Sequence, residues 1–281
     1  MFTFASEDNV KIHVHEWQPA AAPRAVVQLA HGMGEHALRY APLAEALTAR
    51  GYAVYADDHR GHGLSIHDRP GNLGEDGWNL LVKDLVALST IIRERHPGLP
   101  LILLGHSMGS FATQSYLLDH AELIDAAVLC GTTALDQLFT QLAEGGPDAL
   151  VTLNKPFEPA RTPADWISRD TAQVDAYMAD PLSGFGLAPE SMGLMGAAAF
   201  GRLADPQGIR TELPLYVMVG DRDPVNGGLA FSDTLVERYR NAGLTDVTYR
   251  TYPGARHELF NEINRDEVVA ELIEWLERVV R

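Results

Sequence analysis

The segment Gly105-His106-Ser107-Met108-Gly109 sets one serine between two glycines, directly after the apolar run 101–104. A compact reversal has no need of that arrangement. It suits a hydroxyl lifted clear of its neighbours at a strained bend between strand and helix, where flanking side chains would clash. A serine placed that way is a candidate nucleophile, and Ser107 is read as one.

A serine hydroxyl attacks only when a base takes its proton. Eleven histidines are present, and His257 in "YPGARHELF" stands out because it follows the last strand-like run and precedes the last helix. An imidazole base needs a carboxylate to fix its tautomer and stabilise its charged form. "VGDRDPV" offers Asp221 and Asp223, and alternation along an extended segment lets both face the same way. Asp223 is favoured because it lies deeper in the loop, before Pro224; Asp221 is then expected to shape the loop.

Attack on a carbonyl also needs donors for the developing oxyanion. The Met108 N–H follows the nucleophile at a helix N-terminus, where the dipole helps. The second donor is expected in "HGMGEH", from the Met33 N–H. Main-chain donors of this kind are each worth about 3 kcal/mol in the barrier.

These residues are far apart in sequence, so a scaffold must gather them. "TFASEDNVKIHVHEWQ" reads as a hairpin with alternation over 11–15. Six further runs follow: "VVQLA", "YAVYADD", "LPLILLG", "IDAAVLCGTT", "LPLYVMVGDRD" and "DVTYRTYPGARHE". Helical spacing covers 38–50, 75–95, a stretch starting near Met108, and 266–280. In 75–95, Leu80, Leu81, Leu85, Leu88 and Ile92 make one face. Apolar runs alternating with amphipathic helices predict an α/β fold, a mostly parallel sheet covered on both faces. Ligands of such sheets bind beyond the strands' carboxyl ends, where the His31 loop, the Arg60 loop, Ser107, Asp223 and His257 all fall.

Residues 135–208 break the alternation, with seven prolines, Pro147 among them, and no clear strand. They read as an inserted, mainly helical cap, since a structureless loop of that length is rare in a compact domain. The expected core is then 1–134 together with 209–281.

The chain carries 38 acidic and 22 basic residues, a formal charge of −16 over 281 residues. Such a surface argues against nucleic acid as a partner and against basic-patch docking on anionic lipid. A small neutral or zwitterionic substrate fits better. The one cysteine, Cys130, ends an apolar run and reads as a buried strand thiol. No metal or cofactor is expected. The N-terminus lacks a signal-peptide pattern and no apolar run approaches a membrane span, so a cytoplasmic location is expected. Nothing in the sequence sets an oligomeric state.

"HGMGEHALRY", "DDHRGHGLS", "GHSMGS", "ADPLSGF", "GDRDPV" and "YPGARHE" together resemble the monoacylglycerol lipase and lysophospholipase group of α/β-hydrolases. The likeness runs from about residue 10 to the C-terminus, and the order Ser107, Asp223, His257 matches that fold. It implies that these three form a triad, that Met33 and Met108 supply the oxyanion donors, and that 135–208 is a lid over an apolar acyl channel. By the same likeness Gly32, Glu35, Arg39, Gly105, His106, Gly109 and the loop 60–63 shape the site without reacting.

The implied activity is hydrolysis of an ester of a medium or long acyl chain through an acyl-enzyme, with monoacylglycerol the expected substrate. A short-chain carboxylesterase is the alternative, and a non-catalytic binding member of the fold a remote one. An epoxide hydrolase or dehalogenase would need aspartate where Ser107 stands. The His120…Asp125 spacing seen in some acyltransferases lies away from the site and reads as coincidence. "GFGLAPESMGLMGAAAF" in the lid could line an acyl tunnel, touch a lipid surface transiently, or simply pack on the core.

Overall fold

The computed structural model describes residues 1–145 and 149–280; Pro147 of the expected cap lies outside them. The strands are β1 (Phe2–Ala5), β2 (Lys11–Trp17), β3 (Ala25–Ala30), β4 (Tyr52–Asp58), β5 (Leu101–His106), β6 (Ala126–Cys130), β7 (Leu215–Gly220) and β8 (Val247–Tyr252). They form one sheet in the order β1-β2-β4-β3-β5-β6-β7-β8. The β1–β2 hairpin pairs antiparallel, with Phe2 opposite Val14, and β2 pairs antiparallel with β4. Every later pairing is parallel.

Strands β3 to β7 are buried at every position. That is why they read as predominantly apolar runs: helices cover both faces. The helices are α1 (Ala41–Thr48), α2 (Gly77–Arg95), α3 (Met108–His120), α4 (Leu135–Gly145), α5 (Ala149–Asn154), α6 (Thr171–Ala179), α7 (Pro189–Phe200), α8 (Ala230–Asn241) and α9 (Arg265–Val279). One face of the sheet packs against α2, α3 and α8 through Leu81, Leu85, Phe111, Tyr116 and Val236. The other packs against α1 and α9 through Leu43, Leu47, Leu272 and Leu276. Each such side chain contributes about 1.5–3 kcal/mol when fully buried. The α2 face expected from spacing, Leu80 to Ile92, is the buried one.

The helix expected over 38–50 is shorter. Ala37–Tyr40 is a tight 3₁₀ turn and the α-helix begins at Ala41, with Pro42 in its first turn. Proline lacks an N–H and fits a helix start rather than its interior.

Between β6 and β7 the chain runs through α4 to α7 and short 3₁₀ turns, without a strand among the described residues. This segment is tied to the sheet domain at several points. Arg238 makes a two-pronged pair with Asp136, at 2.7 and 2.8 Å. Ser191 Oγ accepts from the Leu73 N–H at 3.0 Å, and the Ala188 N–H donates to Gly71 O at 2.8 Å. Among the described residues no helix is long and apolar enough to cross a membrane.

Candidate active site

Ser107 sits between β5 and α3 with φ 51° and ψ −121°. Few non-glycine residues hold a positive φ, and the surroundings must enforce it. Here the enforcement is close backbone packing. A Cβ on Gly105 would meet Gly109 O at 2.4 Å, and one on Gly109 would meet Ala30 O at 2.1 Å. Both glycines are therefore steric requirements of the bend. The Ser107 N–H donates to Cys130 O at 3.0 Å, and Ser107 O accepts from the Ser110 hydroxyl at 2.6 Å. These bonds tie the serine to β6 and to the first turn of α3. Cys130 itself is fully buried, and burial pushes its thiol pKa well up.

Asp223 and His257 meet beyond the ends of β7 and β8. The His257 Nδ1–H donates to Asp223 Oδ2 at 2.8 Å, and both residues are buried. Asp223 Oδ1 accepts from the Val225 N–H at 2.9 Å, capping the turn Pro224–Asn226. The carboxylate is thus locked by its own loop before it reaches the imidazole. Burial alone would lower the His257 pKa, but the adjacent Asp223 charge and hydrogen bond outweigh it and hold the pKa above its ordinary value. Asp221 points elsewhere, accepting from the Gly254 N–H at 2.7 Å. Two rings flank His257: His106 with centroids 4.8 Å apart and Trp166 at 4.9 Å. Trp166 comes from the turn Asp165–Ile167 between β6 and β7 and carries no signal in the sequence that marks it for the site.

The loop after β3 is held by a buried polar cluster. Glu35 Oε1 accepts from the Gly32 N–H at 2.6 Å and from the Tyr40 hydroxyl at 2.7 Å. Glu35 Oε2 accepts from Arg39 at 2.5 Å, and the same guanidinium grips Glu258 with two bonds of 2.7 Å. Burial disfavours the Arg39 charge, yet Glu258 and Glu35 outweigh that and raise its pKa. Gly34, at φ 64°, admits no side chain, because a Cβ would lie 2.1 Å from Phe185 O. The Arg60 loop acts at one remove. Arg60 is fully buried and bonded to Asp84 at 2.8 Å and to Asp8 at 3.0 Å, while the His62 ring lies 5.1 Å from Phe185.

A cavity of ≈ 650 Å³ opens over this assembly. Ser107, His257, Met33, Gly32, Glu35 and His106 line it, with Trp166, Tyr177 and Phe185 from the segment between β6 and β7. A smaller apolar pocket of ≈ 100 Å³ extends from the same serine, between Met108, Phe111, Leu138, Phe139 and Met195. Ser107, Met33 and Trp166 border both spaces. Arg39 stands behind the loop, and Gly105 and Gly109 lie under the bend. Among the described residues no cluster of three or more His, Cys, Asp or Glu could hold a metal.

A family model described as serine aminopeptidase, S33, matches residues 21–264. The chain belongs to this family. It is 35% identical to a monoacylglycerol lipase of Mycolicibacterium smegmatis, over 98% of this chain and 95% of that one. It is 29% identical to mouse monoglyceride lipase, over 96% and 88% respectively. Among solved structures it superposes on a thermostable carboxyl esterase of Bacillus coagulans with a TM-score of 0.84 at 29% identity, over 100% and 98% of the two chains. The α/β-hydrolase fold and the likeness to the monoacylglycerol lipase group read from the motifs are thereby borne out. In the segment between β6 and β7, the turn Asp165–Ile167 lies against the histidine loop through a Glu258 N–H to Ile167 O bond of 2.7 Å.

Proposed function

We propose that the protein hydrolyses carboxylic esters, with monoacylglycerols as the substrate class, through an acyl-enzyme on Ser107. The buried Asp223–His257 pair carries the reading, because its histidine borders one cavity together with a serine held at a strained bend. With Nδ1 engaged by Asp223, Nε2 of His257 is the nitrogen left to take the Ser107 proton as Oγ attacks the ester carbonyl. The Met33 and Met108 N–H groups meet the oxyanion. Collapse breaks the bond to the alcohol, which leaves with the proton from His257. Water then repeats the sequence on the acyl-serine and releases the acid.

The hydrogen bonding of the cavity's buried carboxylates supports an ester substrate over a peptide with a free amino end. Glu35 and Glu258 are the buried carboxylates lining the larger cavity, and Arg39 is bonded to both. A substrate ammonium would find both of these carboxylates already engaged by the guanidinium. The apolar pocket beside Ser107 suits the acyl chain and the more polar cavity the alcohol. Exposed Val151, Met178 and Phe200 on the cap support transient docking on a lipid surface.

The test is covalent labelling of Ser107 by a fluorophosphonate, paired with Ser107→Ala assayed on glycerides and nitrophenyl esters. Labelling at Ser107 and loss of turnover in a folded variant are expected. Substantial turnover by Ser107→Ala would overturn the reading.

A further inference from the structure

Each of the two peptide groups flanking Gly32 is gripped by a buried side chain. On one side Glu35 takes the Gly32 N–H at 2.6 Å. On the other, His31 Nδ1 lies 2.7 Å from Gly32 O. That carbonyl and the Met33 N–H belong to one planar trans peptide and point in opposite directions. Whatever holds the oxygen therefore aims the hydrogen.

The tautomer of His31 follows from its partners. Its Nε2 lies 2.9 Å from the His59 main-chain N–H, which can only donate. Gly32 O can only accept. The two bonds are satisfied together only by a neutral imidazole with its hydrogen on Nδ1. The ring is fully buried, stacked on His59 at 4.1 Å between centroids, and His59 is bonded in turn to Asp57 at 2.8 Å. Burial, with His59 and His62 beside it, holds the His31 pKa well below the usual histidine range, which keeps the ring neutral.

We propose that His31 is a positioning residue for ester hydrolysis: its Nδ1–H bond to Gly32 O turns the Met33 N–H toward the substrate oxygen. The inference rests on the serine-hydrolase reading and adds to it a residue that never touches substrate. Pulling on the carbonyl also polarises the peptide, so the N–H becomes a stronger donor. Glu35 fixes the preceding peptide, and together they hold a glycine that could otherwise rotate freely.

Two substitutions separate this role from simple packing. His31→Asn places an amide N–H near Nδ1 and leaves His59 without its acceptor. His31→Gln offers an acceptor near Nε2 and nothing for Gly32 O. With p-nitrophenyl butyrate, H31Q is expected to lose roughly ten- to a hundredfold in kcat/KM, mostly in kcat. H31N is expected to keep most of the activity. Binding of an alkyl trifluoromethyl ketone, which mimics the tetrahedral intermediate, should weaken in H31Q by the same factor as kcat/KM. The reverse order of the two variants, or equal activity, overturns the proposal.

Ring nitrogen shifts of ¹⁵N-labelled wild-type protein give a check independent of any variant. A proton on Nδ1 supports the assignment and a proton on Nε2 rules it out. Fluorophosphonate labelling distinguishes the two levels. Wild-type protein that is not labelled at Ser107 takes the hydrolase reading down with the proposal. Normal labelling of wild type, with H31Q labelled and turning over at the same rate, removes only the role of His31.

Discussion

His36 and Asp180, 144 positions apart in the chain, meet at 2.7 Å. One belongs to the loop that carries Met33, the other opens the "DPLSGF" stretch of the cap. Beside them the Gly184 N–H donates to Gly34 O at 2.9 Å. The stretch thus fastens the cap to the loop that binds the oxyanion in the proposed reaction. Asp180→Ala is expected to cost about 1–2 kcal/mol, since it leaves a partly buried imidazole without its acceptor. Denaturant titration would show a lower midpoint at unchanged slope, and limited proteolysis would show faster cleavage in the cap. An unchanged midpoint would mean the contact holds nothing.

The raised pKa of His257 fixes the sign of the pH dependence. The imidazole must be neutral to accept the Ser107 proton, so activity is lost on the acid side and rises as pH climbs through its pKa. Because Asp223 holds that pKa up, the rising limb of kcat/KM should have its midpoint above about 6.5. Asp223→Asn should move the limb to lower pH and reduce kcat by about 10⁴-fold, as expected for a base in the wrong tautomer. Asp221→Asn should leave the limb in place, and a larger loss from Asp221 would reassign the acid.

Arg39 is the hinge of charge behind the site. Replacing it with methionine would leave Glu35 and Glu258 buried and facing each other without a cation. Breaking a buried pair from one side costs about 3–5 kcal/mol, so Arg39→Met should unfold at markedly lower denaturant. Lysine cannot reproduce the two-pronged grip on Glu258 and should recover only part of the loss. Chemical denaturation of the three proteins side by side measures this.

The apolar pocket sets an expectation for chain length. Leu138 lines it beside Phe139 and Met195, away from the catalytic groups. Leu138→Trp fills that space. In a series of nitrophenyl esters the variant should lose activity on longer acyl chains while acetate is hydrolysed nearly as before. A uniform loss across the series would place the acyl chain elsewhere.

Much of this was written locally in the chain. The bend at Ser107 is legible because strand, glycines and helix are contiguous, and the central strands are legible because burial on both faces leaves them mostly apolar. The place of His257 beyond the last strand followed from order alone. Other features depend on contacts no window of sequence contains. Arg39 and Glu258 are 219 positions apart, and which carboxylates a buried arginine meets is decided by the fold. Helix α8 turns only Leu235, Val236 and Tyr239 inward as buried hydrophobics, a thin stripe for a periodicity to reveal. The start of α1 is hidden in the sequence because Pro42, at the helix start, falls inside the helical spacing of 38–50. Trp166 reaches His257 from a 3₁₀ turn of three residues, too short to carry a pattern.

The bond from the Glu258 N–H to Ile167 O has a practical side for anyone recombining such proteins. Ser168 Oγ also donates to Asn261 O at 2.8 Å, and Arg169 pairs with Glu262 at 2.8 Å. Segment 165–169 is therefore stitched to 256–262, the stretch that presents the imidazole. A chimera that imports a foreign cap as a cassette would sever that seam and loosen His257 with it. Domain exchange in this scaffold has to move both segments as one module.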